Sequence, residues 1–249
     1  MNAYTFLAPL YDRLTADVDY TAFAEYYEIL FKRHHRKVET LLDLACGTGT
    51  LTGMLADRGY DMIGVDGSEE MLAVARDKLP NVLLLNQEME ALDLFGTVDA
   101  AICALDGANY LPPSALAETL RRVLLFLEPG GLFVFDVNTV HKLKGLDGAM
   151  FIDEDDDLYC VWRTEYDEAA QACLYGLDLF VRDGAIWQRY GEEHIEYAYA
   201  SQALRRMMAE AGFSNIVVYG DKTLAPPAAA EARIFITGIK PESSKIERA

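Results

Sequence analysis

The sequence is short of cysteine, of positive charge and of long apolar runs, and each shortage excludes a class of protein. Its four cysteines, Cys46, Cys103, Cys160 and Cys173, include no C-x-x-C pair of the kind that opens a zinc site, so no metal is expected. A chain of 249 residues is large enough to do without disulfide staples, and reduced, mostly buried thiols are expected. No segment approaches 18 uninterrupted apolar residues, which argues against a membrane-spanning helix. The opening Met1-Asn2-Ala3-Tyr4 lacks a basic stretch followed by an apolar one, and a cytoplasmic location is expected. Lys and Arg number 22 against 40 Asp and Glu, a formal charge of −18. Such a field repels phosphate backbones, disfavours nucleic acid as a partner and suits small neutral or cationic molecules. Internal repeats are also absent. What the chain does have is 51% apolar and 11% aromatic residues, enough for the core of one α/β domain.

Tyr20, Phe23, Ala24, Tyr27, Leu30 and Phe31 recur at spacings of three and four, which predicts a helix with one apolar face. The basic run 32–37 suits its end, where positive charge complements the helix dipole. Ahead of it, Tyr4, Phe6, Leu7, Leu10, Tyr11 and Leu14 predict a short helix lying over the domain. From Val38 an alternation begins, with strands predicted at 40–44, 62–65, 82–85, 98–105 and 132–137. Between them fall helices over 51–58, closed by Gly59, and over 68–78, with Ser68 as N-cap. A further helix runs from Pro112-Pro113-Ser114 to the turn Glu128-Pro129-Gly130-Gly131. Alternation of this kind implies right-handed crossovers and a parallel sheet. After the acid run Asp153-Glu154-Asp155-Asp156-Asp157 the pattern becomes antiparallel. Strand-like stretches fall at 158–166, 172–181 and 185–199, with a hairpin turn at Asp183-Gly184. A helix over 201–211, stopped by Gly212, and strands near 216–219 and 233–239 complete the chain, and residues after Pro241 read as a frayed tail.

The informative stretch is Leu42-Asp43-Leu44-Ala45-Cys46-Gly47-Thr48-Gly49-Thr50. A strand, a glycine turn and a helix bring backbone N–H groups close to a ligand at the carboxyl edge of a sheet. Gly-x-Gly alone also fits other ligands and plain turns. A dinucleotide fingerprint would need glycine at position 52, where Thr52 stands. Asp43, just before the turn, suits an ammonium group better than a pyrophosphate. Asp66 closes the second strand in Ile63-Gly64-Val65-Asp66-Gly67-Ser68, where a carboxylate can accept from both hydroxyls of a ribose or serve only as a helix cap.

Asp-Leu-Ala-Cys-Gly-Thr-Gly followed by Gly-Val-Asp-Gly-Ser is very similar to the class I S-adenosylmethionine-dependent methyltransferases, in their small-molecule bacterial branch. The resemblance runs in motif order over nearly the whole chain. It implies a Rossmann-like α/β fold with a seven-stranded, mostly parallel sheet flanked by helices, and an antiparallel β-meander insert as substrate cap. It implies S-adenosyl-L-methionine as cofactor, with S-adenosyl-L-homocysteine as product. Asp43, Ala45, Gly47 and Gly49 would shape its methionine end, Asp66 and Gly67 the ribose, Glu88 and Met89 the adenine. Leu105 and Asp106 would stand where methionine and acceptor meet, and Tyr11 would belong to an N-terminal lid. One departure is Glu88, where the family usually has Asp. The implied organisation is a lid over residues 1–37, a catalytic domain over 38–240 with the insert at about 151–200, and a disordered tail over 241–249.

The acceptor is expected to be a small molecule methylated on O or N. An RNA or protein methyltransferase, a nucleotide-dependent oxidoreductase on the same fold, and a non-catalytic donor-binding domain are the alternatives. His194 is the candidate general base if the acceptor must lose a proton, although a structural histidine fits the sequence too. His141 is a second candidate. Arg189 is read as binding an acceptor carboxylate or pairing with Glu192 or Glu193. The acid run is read as a solvated loop or as an attractor of cationic amines. The sequence is compatible with a monomer or a homodimer.

Overall fold

The computed structural model describes residues 4–34 and 37–242. The expected tail therefore lies outside the described residues apart from its first two positions, and so do two residues of the basic run. After a 3-10 turn at Ala8–Leu10 come one helical turn, α1 (Tyr11–Leu14), and α2 (Tyr20–Arg33). Asp19 caps α2 by accepting from the amide of Ala22, and Phe23, Ala24, Tyr26, Tyr27, Leu30 and Phe31 form its buried face. The alternating part follows as β1 (Thr40–Leu44), α3 (Thr50–Asp57), β2 (Asp61–Asp66), α4 (Glu69–Lys78), β3 (Leu83–Asn86), β4 (Val98–Cys103), α5 (Pro113–Phe126) and β5 (Leu127–Asn138). Then come α6 (Val140–Gly145), four antiparallel strands β6 (Met150–Asp155), β7 (Leu158–Asp167), β8 (Ala172–Asp183) and β9 (Ile186–Tyr197), and finally α7 (Ser201–Ala211), β10 (Ser214–Gly220) and β11 (Arg233–Ile239).

The main sheet has seven strands in the order β10-β11-β5-β4-β1-β2-β3, with β10 and β11 antiparallel to their neighbours and the rest parallel. Helices cover both faces because strand side chains alternate. Leu41, Met62, Ala100, Ile102, Leu132, Val134 and Phe235 pack under α2 and α3. Leu42, Leu44, Ala101, Phe133, Phe135 and Ile236 pack under α5 and α7. A smaller core joins Leu7 of the N-terminal segment to Leu158, Cys160, Leu177 and Leu179 of the four-stranded sheet. Among the described residues no helix is long and apolar enough to cross a membrane.

The structure corrects the sequence reading in several places. The meander has four strands, because the acid run does not form a loop: Asp153, Glu154 and Asp155 belong to β6, an edge strand exposed along its whole length, and Asp156-Asp157 make the turn into β7. The hairpin between β8 and β9 turns at Gly184-Ala185, since Asp183 already pairs with Ile186. β4 stops at Cys103, because Leu105 and Asp106 adopt left-handed backbone, with φ of 54° and 58°. Glu128-Pro129-Gly130-Gly131 lies within β5 at a register shift against β4. The helix α6 was not foreseen; Thr139 caps it by accepting from the amide of Lys142.

Candidate active site

The carboxyl ends of β1, β2 and β4, with the loop after β3, open onto one cavity of about 370 Å³, roofed by Tyr4, Tyr11 and Tyr20 of the N-terminal segment. Its volume falls in the range of small-molecule sites. Tyr11, Asp43, Ala45, Gly47, Asp66, Gly67, Glu88, Met89, Leu105 and Asp106 all line it, joined by Tyr110 and Leu111. Gly49 and His194 are not among the lining residues. Gly49 is the N-cap of α3 at φ 76°, and a Cβ there would come within 2.6 Å of Leu79 and 3.2 Å of Ala75, at the end of α4. Its glycine is needed by the turn and by packing against α4. His141 is exposed on α6 and also lies outside the lining.

The glycine turn is fixed by carboxylates. Asp66 accepts from the amide of Gly47 through Oδ2 and from that of Ser68 through Oδ1, both at 2.8 Å, so it ties the loop after β1 to its own. Burial raises its pKa above the ordinary aspartate value, and those two amides act in the opposite direction. Asp43 is buried at 2% exposure and accepts from the hydroxyl of Thr52 at 2.6 Å. Burial pushes it up to about 7 despite that bond. Position 52, read in the sequence only as a missing glycine, therefore supplies the partner of Asp43. Gly67 makes room for Glu88, whose carboxylate would lie 2.7 Å from a Cβ at that position. Gln87 turns elsewhere and binds both backbone groups of Asp93.

The turn after β4 is held by a residue that the sequence reading passed over. Asp136, fully buried on β5, accepts from the amides of Leu105 at 2.9 Å and Asp106 at 3.0 Å and pairs with Arg233. Arg233 bonds in turn to Oδ1 of Asp106 at 2.6 Å. The available signal was a carboxylate in the otherwise apolar strand Leu132-Phe133-Val134-Phe135-Asp136-Val137. Asn109, also fully buried, joins β5 to the cap, accepting from the amide of Asn138 and donating to the carbonyls of Asn138 and Tyr197.

The N-terminal segment is clamped at three points. Asp12 accepts from the hydroxyls of Thr48 and Thr50 and from Lys78, which hold its pKa low although burial pulls the other way. Arg13 pairs with Asp155 and Asp157 of the cap. Glu192 on β9 accepts from the amides of Tyr4, Phe6 and Leu7. Glu192 is thus not a partner of Arg189, which pairs with Asp178 at 2.6 Å. His194 lies 3.3 Å from Glu192, and its ring packs on that of Tyr4 at 4.7 Å and near that of Tyr110 at 6.2 Å. It stands one aromatic ring away from the cavity.

Comparison with known proteins agrees with this arrangement. A family model described as a methyltransferase domain matches residues 41–131, which hold the glycine turn, Asp66, Glu88 and Asp106. The putative methyltransferase YqeM of Bacillus subtilis (strain 168) is 30% identical over 243 residues, covering 95% of this chain and 97% of that one. An S-adenosylmethionine-dependent methyltransferase from Clostridium acetobutylicum superposes with a TM-score of 0.85 at 28% identity, over 97% of this chain and all of that one. The sugar N-methyltransferase KedS8 from Streptoalloteichus shares the fold at a TM-score of 0.78 and 22% identity, over 92% of this chain and 91% of the other. The chain therefore belongs to the class I S-adenosylmethionine-dependent methyltransferases.

Proposed function

We propose that the cavity holds S-adenosylmethionine beside a small-molecule acceptor, and that the methyl group passes to an oxygen or nitrogen of that acceptor with release of S-adenosylhomocysteine. One observation carries this reading: among the described residues the lining includes five carboxylates, Asp43, Asp66, Glu70, Glu88 and Asp106, and no Lys, Arg or His. Such a wall attracts a cation and repels a phosphate chain, so it supports a sulfonium donor and a small acceptor over RNA or a dinucleotide. The donor set fits. Asp43 suits the ammonium group of the methionine end and the open space at Gly47 its approach, Asp66 and Gly67 suit the ribose, and Glu88 with Met89 the adenine. Asp66 spends one lone pair of each oxygen on an amide and keeps others for hydroxyls. When bound, the sulfonium supplies a methyl group already activated for attack, and positioning and exclusion of water are then what the protein must add. Residues 4–14 and the four-stranded cap supply that exclusion as lid and cover, and residues 38–240 supply the donor site. The sugar N-methyltransferase likeness of the fold supports a small acceptor. Incubating the protein with methyl-labelled donor and a cell extract tests the reading, with label expected in the small-molecule filtrate. Label retained in protein or nucleic acid overturns it.

A further inference from the structure

The wall between cavity and cap carries polar groups that donor binding does not use. β9 has inverted polarity. Glu192, His194 and Glu196 are buried at 6%, 4% and 4% exposure, while Ile195 is 42% exposed. Burying ionisable side chains at alternate positions is unfavourable unless each has a task. Glu192 holds the lid. Glu196 accepts from Nδ2 of Asn138 at 2.7 Å and from the hydroxyl of Tyr175, and Asn138 is itself fixed by Lys142 at 2.8 Å. Its charge is felt by Asp106 and Tyr110, two residues of the cavity wall.

Those two belong to a distinct corner of the cavity. Tyr4, Tyr11 and Tyr110 bring their rings together there, with Tyr4 6.1 Å from Tyr11 and 6.0 Å from Tyr110. Arg233 occupies Oδ1 of Asp106, and among the described residues no side chain bonds to Oδ2. Carboxylate oxygens framed by electron-rich ring faces form a receptor for an organic cation.

We propose that the acceptor is an amine, taken up as its ammonium ion between Asp106 and the rings of Tyr4, Tyr11 and Tyr110, with Glu196 as the second negative charge that holds it there. The proposal rests on the reading of the cavity as a small-molecule methylation site and names the acceptor class. Asp106 touches the substrate; Glu196 is a positioning residue that acts through Asp106 and Tyr110. In the reaction the ammonium gives one proton to solvent, and the freed nitrogen lone pair forms the N–CH₃ bond as the S–CH₃ bond breaks. Sulfur keeps that electron pair as a thioether, and the product leaves as a methylammonium ion held by the carboxylate of Asp106. Burial and the charge of Asp106 push Glu196 up to about 7. It faces Asp106 and Tyr110 from the segment after β4, Cys173 and Tyr175 from β8, and Lys142 from α6. A bound cation favours the ionised carboxylate, so amine affinity rises as pH passes upward through that value.

The experiment is calorimetry on protein saturated with S-adenosylhomocysteine, titrated with cyclohexylamine and tyramine, which stay cationic throughout, against cyclohexanol and tyrosol. Amines are expected to bind roughly tenfold tighter than their partners, the effect of one extra charge pair at partial burial. Their affinity is expected to rise through a midpoint near 7. Glu196→Gln, which keeps the acceptor for Asn138, is expected to lose the pH step and to weaken the preference that Asp106 still supplies, and Glu196→Asp to recover part of each. If Glu196→Gln fails to fold, the wild-type preference and pH profile decide alone. Equal binding of the alcohols, pH-independent amine binding, or no binding of any amine overturns the proposal. Methyl label on an alcohol would sink the amine while sparing the small-molecule reading, whereas label on nucleic acid or protein would sink both.

Discussion

On the proposed donor side of the cavity the loops after β1 and β2 are tied to each other by backbone amides on one carboxylate, Asp66, and the residues involved all lie between Gly47 and Ser68. On the proposed acceptor side the turn after β4 is held by Asp136 from β5 and Arg233 from β11, and the roof is held by Glu192 from β9. The first arrangement is local and depends on backbone shape. The second is assembled from side chains far apart in the chain and placed in the same space only by the finished fold. The donor side should therefore tolerate loss of its carboxylate in stability while losing ligand, and the acceptor side should lose structure first.

Asp136→Ala gives the largest expected effect. It removes the acceptor for two buried amides and leaves Arg233, itself only 14% exposed, without its innermost partner. Breaking a buried pair from one side costs about 3–5 kcal/mol, to be read as a lower urea midpoint. Asp66→Ala comes next and acts on a different quantity. Donor or product affinity measured by calorimetry is expected to fall by roughly 1.5–3 kcal/mol, the range for hydrogen bonds to a charged group, with a much smaller change in the urea midpoint. If Asp66→Ala unfolds the protein as readily as Asp136→Ala, the contrast between the two sides fails. If it leaves affinity unchanged, Asp66 is no ligand of the donor.

The same contrast explains what the sequence made legible. Asp43, Gly47 and Asp66 could be read because strand, turn and carboxylate follow one another in a fixed order. The main sheet could be read because its strands are short apolar runs between capped helices. Asp136, Arg233 and Glu196 could not be assigned partners, since nothing local says which strand ends will meet. β6 was missed because its acids and its exposed Met150, Phe151 and Ile152 carry no alternation, an edge strand with neither face buried. His194 was singled out for its chemistry alone. The alternation Glu192, His194, Glu196 was visible, yet its inward direction depends on a register that only the neighbouring strands set.

The lid offers the two smaller tests, and they separate buried from exposed attachment. Burial opposes ionisation of Glu192, but His194 and the amides of Phe6, Leu7 and Tyr4 hold its carboxyl below the usual glutamate range. A depressed folded-state pKa contributes stability above the unfolded value, lost as pH falls through the folded one. Amide protection at Phe6 and Leu7 is therefore expected to disappear on acidification while that of β1 and β4 persists, as hydrogen exchange would show. Glu192→Gln should weaken the same protection at neutral pH by about 1 kcal/mol, the scale of a lost cap. Arg13, by contrast, meets Asp155 and Asp157 where both acids are more than half exposed. Solvent and salt screen such pairs, so Arg13→Ala is expected to leave the urea midpoint unchanged and to speed lid exchange only at low ionic strength. If Arg13→Ala opened the lid as far as Glu192→Gln in high salt, the lid's hold would lie in its surface charges, and the buried carboxylate on β9 would need another purpose.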